Sequence, residues 1–187
     1  MQLNLLTAID LPGLALFPDA VSEAEERDLI ALVDSADLKP FRFRGWTGSR
    51  LVSAYGLRFD HEHQRLEQGP DIPRELILLR DRLARSVGLQ PDALVQALLT
   101  RYDPGAGINW HRDRPEYEKI IGLSLGSRSV LRLRKKTPDG AFKRTQVPLE
   151  PREAYLLSGE ARRVWEHSIK PGATKRWSVT FRSLTRP

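Results

Sequence analysis

The second half of the chain is a succession of short segments suited to sheets. ALVQALLTRY, IIGLSLG, SVLRLRKK, EAYLLSG, VWEHSI and RWSVTFRSL are each rich in β-branched and aromatic residues, and Pro, Gly and Asp separate them. Such residues fit a pleated, half-buried surface, and the punctuation turns the chain back before any strand grows long. Thr137-Pro138-Asp139-Gly140 is one such turn, with proline presetting φ and glycine tolerating a positive one. Many short strands also mean many open edges. A double-layered barrel of the jelly-roll type would remove most of them.

The first half reads differently. Ser22-Glu23-Ala24-Glu25 is a capping box that opens a helix to about Val33, with Leu29, Ile30 and Val33 on one face. Asp71-Ile72-Pro73 starts a second helix, with Leu76, Leu79 and Leu83 at helical spacing and Gly88 as its stop. Between them, residues 41–60 alternate and carry turn residues, which predicts short strands around a hairpin-like loop. Two helices followed by six or more strands suggest an α+β arrangement. No repeat, low-complexity tract or linker divides the 187 residues, a length suited to one domain.

Composition narrows the function. The chain has no cysteine, which excludes disulfides, Cys-based zinc sites and thiol nucleophiles. No apolar run approaches the ~20 residues of a membrane span. The N-terminal stretch lacks a basic region and breaks at Pro12-Gly13, so no signal peptide is expected and a cytoplasmic, monomeric protein fits. Thirty Lys and Arg against 24 acids give a net charge of +6. That balance favours a polyanion, nucleic acid before an acidic membrane surface, although a basic surface also serves solubility.

The chemistry centres on GINWHRDR. Alternate residues of a strand share a face, so His111 and Asp113 can grip one ion, with His167 in VWEHSIKPG as a third ligand. Two histidines and one carboxylate form the facial triad of non-haem Fe(II) sites, which leaves positions open for O2 and a co-substrate. Alone, His-x-Asp reads more readily as a surface histidine bonded to its neighbour. Further along, Arg176, Ser178, Thr180 and Arg182 share one strand face. Two inward arginines need an anion, because an unpaired buried charge costs several kcal/mol. A dicarboxylate would supply one carboxylate per guanidinium.

Arg101-Tyr102-x-Pro104-Gly105, His111-x-Asp113, Ser124-Leu125-Gly126, His167 and Arg176-x5-Arg182, in that order, resemble the AlkB-like Fe(II)/2-oxoglutarate dioxygenases. The resemblance runs from about Ala15 to Leu184, and EAYLLSGEARRVWEHSI is similar to the branch of tRNA-modifying and related bacterial members. It implies a double-stranded β-helix (jelly-roll) core over about 98–184, with the N-terminal helices packed on one sheet and a substrate-covering lid at about 40–66. It implies Fe(II) on His111, Asp113 and His167, and 2-oxoglutarate and O2 as co-substrates. By position, Thr100, Tyr102, Arg176, Ser178 and Arg182 would hold 2-oxoglutarate, with Arg176 on its distal carboxylate and Arg182 near the iron-chelating end. The implied reaction removes alkyl groups from DNA or RNA bases, releasing succinate, CO2 and an aldehyde.

The departures keep other targets open. Some base-repairing members carry Asn where Thr100 and Ser178 stand, and an acidic residue where Pro115 stands before Glu116. A hydroxylase acting on tRNA, protein or a small molecule, or a non-catalytic nucleic-acid-binding module, are the alternatives. In the lid, Phe41, Phe43, Trp46 and Tyr55 can stack a flipped base or simply pack, and Arg42, Arg44 and Arg50 suit phosphates. Trp46, Arg50, Tyr55, Arg112 and Glu116 are the candidate substrate contacts. His61 and His63 lack a third ligand and read as a solvated or substrate-facing loop. Lys135, Lys136, Lys143 and Arg144 join Val130–Arg134 in a basic hairpin, either a nucleic-acid contact or a solvated surface. Glu153 and Glu160 have no evident catalytic part.

Overall fold

A computed structural model describes residues 11–43, 45–60 and 63–185, apart from the side chains of Phe43 and Trp46. Arg44 and His61 lie outside the described residues, as do the side-chain roles considered for Phe43 and Trp46. In chain order the elements are β1 (Leu14–Phe17), α1 (Glu23–Ser35), β2 (Lys39–Phe43), β3 (Trp46–Asp60), β4 (Arg65–Gln68), α2 (Arg74–Ser86), β5 (Leu94–Tyr102), β6 (Ile108–His111), β7 (Tyr117–Leu125), β8 (Ser129–Lys136), β9 (Phe142–Leu149), β10 (Ala154–Leu157), α3 (Gly159–Arg163), β11 (Glu166–Ile169) and β12 (Arg176–Leu184).

The strands form two sheets. The major sheet runs β1-β10-β7-β12-β5-β3-β2 with β4 attached to β3, and the minor sheet runs β6-β11-β8-β9. Helices α1 and α2 cover the outer face of the major sheet. Leu29, Val33, Leu76, Leu79 and Leu83 pack there with Leu99, Leu123, Val179 and Phe181. A second core, including Leu131, Leu133, Val147 and Leu149 of the minor sheet, meets Ile120, Leu157 and Trp165. Each fully buried large side chain contributes roughly 1.5–3 kcal/mol through removal from water. This is the double-stranded β-helix with its helices on one sheet. No helix among the described residues is long and apolar enough to cross a membrane.

Strand β12 shows why the inner face is polar. Val179 and Phe181 turn to the helices, so period-two alternation places Arg176, Ser178, Thr180 and Arg182 on the opposite face. The helices are tied down by capping and by charge. Ser22 Oγ accepts from Glu25 N at 3.2 Å while Glu25 Oε2 accepts from Ser22 N at 2.8 Å. Asp34 of α1 accepts from Trp177 Nε1 at 2.9 Å and from Arg101 Nη1 at 3.3 Å.

Residues 41–60 hold the expected hairpin, β2 turning back into β3 with Phe43 opposite Trp46, but the second strand is longer than expected. Strand β3 is continuous for 15 residues because its partner changes along its length. It pairs with β2 up to Val52, with β5 from Leu51 to Gly56, and with β4 from Leu57 to Asp60. Gly56 sits at the second change of partner with φ +74°, and a Cβ there would lie 2.2 Å from Val95 O. Strand β1 and helix α3 were not anticipated, each being too short to show a period.

Gly56→Ala is therefore expected to lower stability by about 2 kcal/mol or more, since it adds both a left-handed backbone penalty and a clash with main chain. The shift in urea midpoint relative to wild type measures this, and an unchanged midpoint contradicts it.

Candidate metal centre and co-substrate cavity

Two strands of the minor sheet bring the histidines together. His167 of β11 is the direct cross-strand partner of His111 of β6, and their ring centroids are 4.3 Å apart. Asp113, two residues past the end of β6, places Oδ2 3.6 Å from His167 Nε2. Ligand atoms of His111, Asp113 and His167 all lie within 4.8 Å of one another. One small cation can be shared by three such donors, and two nitrogens with one carboxylate oxygen suit iron.

Neighbouring groups select which atoms are offered. His111 Nδ1 lies 2.8 Å from the Asn109 carbonyl, which can only accept, so Nδ1 carries the proton and Nε2 keeps its lone pair. Arg182 donates to Asp113 Oδ1 from Nη2 at 2.9 Å and from Nε at 3.2 Å, leaving Oδ2 for the ion. Burial opposes the charge on Asp113, but Arg182, His167 and His111 together outweigh it and hold the carboxyl well below the usual carboxylate range. Burial, reinforced by His111, brings His167 down to about 3. Burial also lowers His111. Both imidazoles are thus in the neutral form that binds metal.

The centre lines a cavity of about 1290 Å³ between the sheets. Arg176 is 5% exposed, and its Nη1 is sealed from solvent without a hydrogen-bond partner. Its Nε donates to Ser124 Oγ at 3.2 Å, and its guanidinium lies 4.8 Å from the Tyr102 ring centroid. A buried guanidinium with an unused donor fits a carboxylate. Strand register sets Tyr102 opposite Arg176 and Thr100 opposite Ser178, so all four line the same cavity. Arg182 also lines it, with Asp113 accepting from its Nε and Nη2 and Gln96 from its Nη1, which leaves one further N–H on each terminal nitrogen. Of the two arginines, Arg176 is the one with a sealed nitrogen that has no partner.

The candidate substrate residues scatter. Arg50 and Arg112 line the cavity, and Arg112 Nη1 also donates to Arg163 O at 3.3 Å. Tyr55 lies on the other face of β3 and packs with the helix-side core, because alternation puts Val52 and Ala54 inward. Glu116 turns to Arg114, accepting from Nη2 at 3.1 Å and Nε at 3.2 Å, and is not in the cavity wall. His63 pairs with Asp60, Nδ1 to Oδ2 at 2.5 Å.

Several neighbours of the site went unrecognised in the sequence. Gln96 accepts from Arg182 Nη1 at 2.9 Å and donates to Tyr117 Oη at 2.7 Å. It shares the β5 face of Thr100 and Tyr102, so the same alternation would have found it. Arg162 of α3 donates to the carbonyls of Arg114 and Tyr117, pinning the segment after Asp113. Only tertiary structure reveals that contact. Tyr155 lies so close over Gly122 that a Cβ there would stand 2.3 Å from its Cζ, and burial pushes its phenol up to about 12.

With this geometry in view, the comparisons with known proteins agree. Residues 13–182 match the 2OG-Fe(II) oxygenase superfamily, and the chain belongs to it. Within it the protein is an AlkB-like dioxygenase, whose cofactor and co-substrates are Fe(II), 2-oxoglutarate and O2. It is 28% identical to Uncharacterized protein L905 of Acanthamoeba polyphaga mimivirus, covering 96% of this chain and 88% of that one. It is 30% identical to the tRNA (carboxymethyluridine(34)-5-O)-methyltransferase ALKBH8 of Mus musculus over 86% of this chain, but spans only 24% of that protein's length. To the alpha-ketoglutarate-dependent dioxygenase AlkB of Escherichia coli it is 29% identical over 68% of this chain and 57% of that one. The solved structure of OsALKBH1 shares the fold, with a TM-score of 0.72 at 16% identity over 92% of this chain and 97% of that one.

Burial of His167 makes metal-free stability depend on pH. Its folded pKa, about 3, is below the ordinary 6.5, so between these values the unfolded chain binds the proton that the folded one refuses. The stabilisation is complete above the ordinary value and declines as pH falls through it, by up to about 1.4 kcal/mol per pH unit. Urea midpoints of the metal-free protein should fall on acidification across this window, and His167→Asn should flatten the fall. Equal slopes in the two proteins contradict the burial argument.

Proposed function

We propose that this dioxygenase oxidises an alkyl group on a nucleic-acid base, the carbon leaving as an aldehyde. The observation that carries the reading is the placement of His111, Asp113 and His167 in a broad cavity whose walls combine guanidinium groups with Phe41 and Phe59. Aromatic faces stack bases, and arginines meet phosphates. The net charge of +6 supports a polyanionic partner. Relatives point the same way: a 30% identical protein of Arabidopsis thaliana is named Alkylated DNA repair protein ALKBH8 homolog, and this chain spans 51% of it. The mouse relative's name favours tRNA as a second target.

Iron and 2-oxoglutarate, when bound, supply the oxidant from O2 and release succinate and CO2. The chain's residues do the positioning. His111, Asp113 and His167 would hold the metal, and Arg182 keeps Asp113 charged and oriented. Arg176 takes a carboxylate of 2-oxoglutarate, beside Tyr102, Ser178 and Thr100. From the stretch expected to cover the substrate, Phe41, Arg42, Arg50 and Phe59 line the cavity. A base reaches this cavity only when single-stranded or turned out of its duplex. Insertion of one oxygen into an N-methyl C–H bond gives a hydroxymethyl amine, which loses formaldehyde and leaves N–H.

Methylated and etheno-modified DNA and RNA oligonucleotides, incubated with Fe(II) and 2-oxoglutarate and read by mass spectrometry, test the reaction. Net loss of CH2 from an N-methyl base supports demethylation, whereas a stable gain of one oxygen identifies a hydroxylase. Asp113→Ala is expected to abolish turnover. Arg176→Ala should raise the 2-oxoglutarate requirement roughly tenfold or more, since charge-assisted hydrogen bonds are lost. Normal succinate production by Asp113→Ala refutes the ligand assignment.

A further inference from the structure

Most guanidiniums of the cavity wall have partners. Arg182 holds Asp113, Arg58 holds Glu67, Arg114 holds Glu116, and Arg162 holds two carbonyls. Arg176 waits for the co-substrate. Arg50 is different. It is 8% exposed and lines the cavity, yet it has no hydrogen bond or ion pair among the described residues. Its guanidinium carbon lies 4.0 Å from the centroid of the Phe41 ring, a cation–π contact that does not itself use up an N–H donor as a hydrogen bond would. It sits one residue beyond the pair Leu51↔Arg101, on the inward face with Val52 and Ala54.

Burial lowers the pKa of Arg50, and the carboxylate it senses is Asp113, already committed to Arg182. A desolvated guanidinium without an anion is costly, and a protein retains one where a ligand supplies the anion. Loading the site does not remove the deficit. On the reading proposed above, Arg176 would take one carboxylate of 2-oxoglutarate and the metal-binding end would use the other, so neither is assigned to Arg50.

We propose that Arg50 binds an anionic oxygen of the primary substrate, a phosphate or a carboxylate, and so selects substrates that carry negative charge beside the atom to be oxidised. This rests on the reading that the cavity admits a primary substrate next to the metal. The fork of Arg50 offers paired donors, and Phe41 fixes their direction.

The test uses the full chain loaded with Zn(II) and 2-oxoglutarate, titrated separately with methyl phosphate and with acetate. The arginine Nε–H resonances are followed by NMR and affinity by calorimetry. The Arg50 resonance is expected to shift saturably with one anion. Arg50→Met should weaken that anion about tenfold or more, and Arg50→Lys should recover part of the loss. A preference for methyl phosphate assigns the contact to the nucleic-acid backbone, and a preference for acetate assigns it to a carboxylate on the substrate's reactive portion. Three results overturn the proposal: no saturable shift of Arg50, equal anion affinity in Arg50→Met, or a loss confined to 2-oxoglutarate binding. Should Arg50→Met not fold, the wild-type resonance and Arg50→Lys still decide. Oxidation of oligonucleotides without an Arg50-dependent anion site defeats this proposal alone. An anion site in a protein that ignores every oligonucleotide defeats the nucleic-acid reading alone.

Discussion

The contact between Arg182 and Asp113 joins the two halves of the molecule at the point where chemistry requires it. Arg182 belongs to β12 of the major sheet, and Asp113 follows β6 of the minor one. The chain of bonds continues through Gln96 to Tyr117, whose hydroxyl donates to the Leu57 carbonyl at 3.3 Å. Removing two charges from water costs several kcal/mol, so such a pair is weak evidence for stability. Its value lies in fixing one carboxylate oxygen and freeing the other. Without the guanidinium, burial would favour a protonated Asp113, a poor ligand for a cation.

The sheets make this arrangement affordable. The inner face of β12 carries Arg176, Ser178, Thr180 and Arg182 and adds little apolar burial. Its outer face, with Val179 and Phe181, packs under α1 and α2. The helices supply the stabilisation that a polar interior gives up. The same division explains why the two candidate metal-binding histidines come from the minor sheet: β6 and β11 pair antiparallel, which sets His111 and His167 directly across from each other.

What could be read from the residues was whatever depends on period. Alternation along β12 put Arg176, Ser178 and Arg182 on one face, and the capping box and leucine spacing gave both helices. The spacing of His111 and Asp113 gave half of the metal site. His167, the next histidine along the chain, supplied the third candidate ligand, and the resemblance agreed with it. What could not be read depends on partners. The length of β3 follows from its pairing in turn with β2, β5 and β4, and the same pairing fixes which side chains point inward, sending Tyr55 to the helices. Which anion meets Arg182 was equally invisible, because Asp113 lies 69 residues away in sequence. Helix α3, five residues long, left no pattern, yet its Arg162 secures the segment after the ligand aspartate.

Net charge shows the same limit from another side. In sequence the basic hairpin β8–β9 reads as either a nucleic-acid contact or a solvated surface. In the fold Arg134 pairs with Glu166 at 2.6 Å and Lys135 with Glu160 at 2.7 Å, while Trp110 and Phe142 lie against arginine side chains. A cation already answered by a carboxylate contributes little field at a distance, and salt screens an exposed one within about 8 Å. A guanidinium held at low exposure is screened far less. For recognition at the reacting atom, the relevant measure is therefore the balance of charge inside the cavity. There Arg176 keeps a sealed nitrogen without a partner, and Arg50 has low exposure with no ion pair among the described residues.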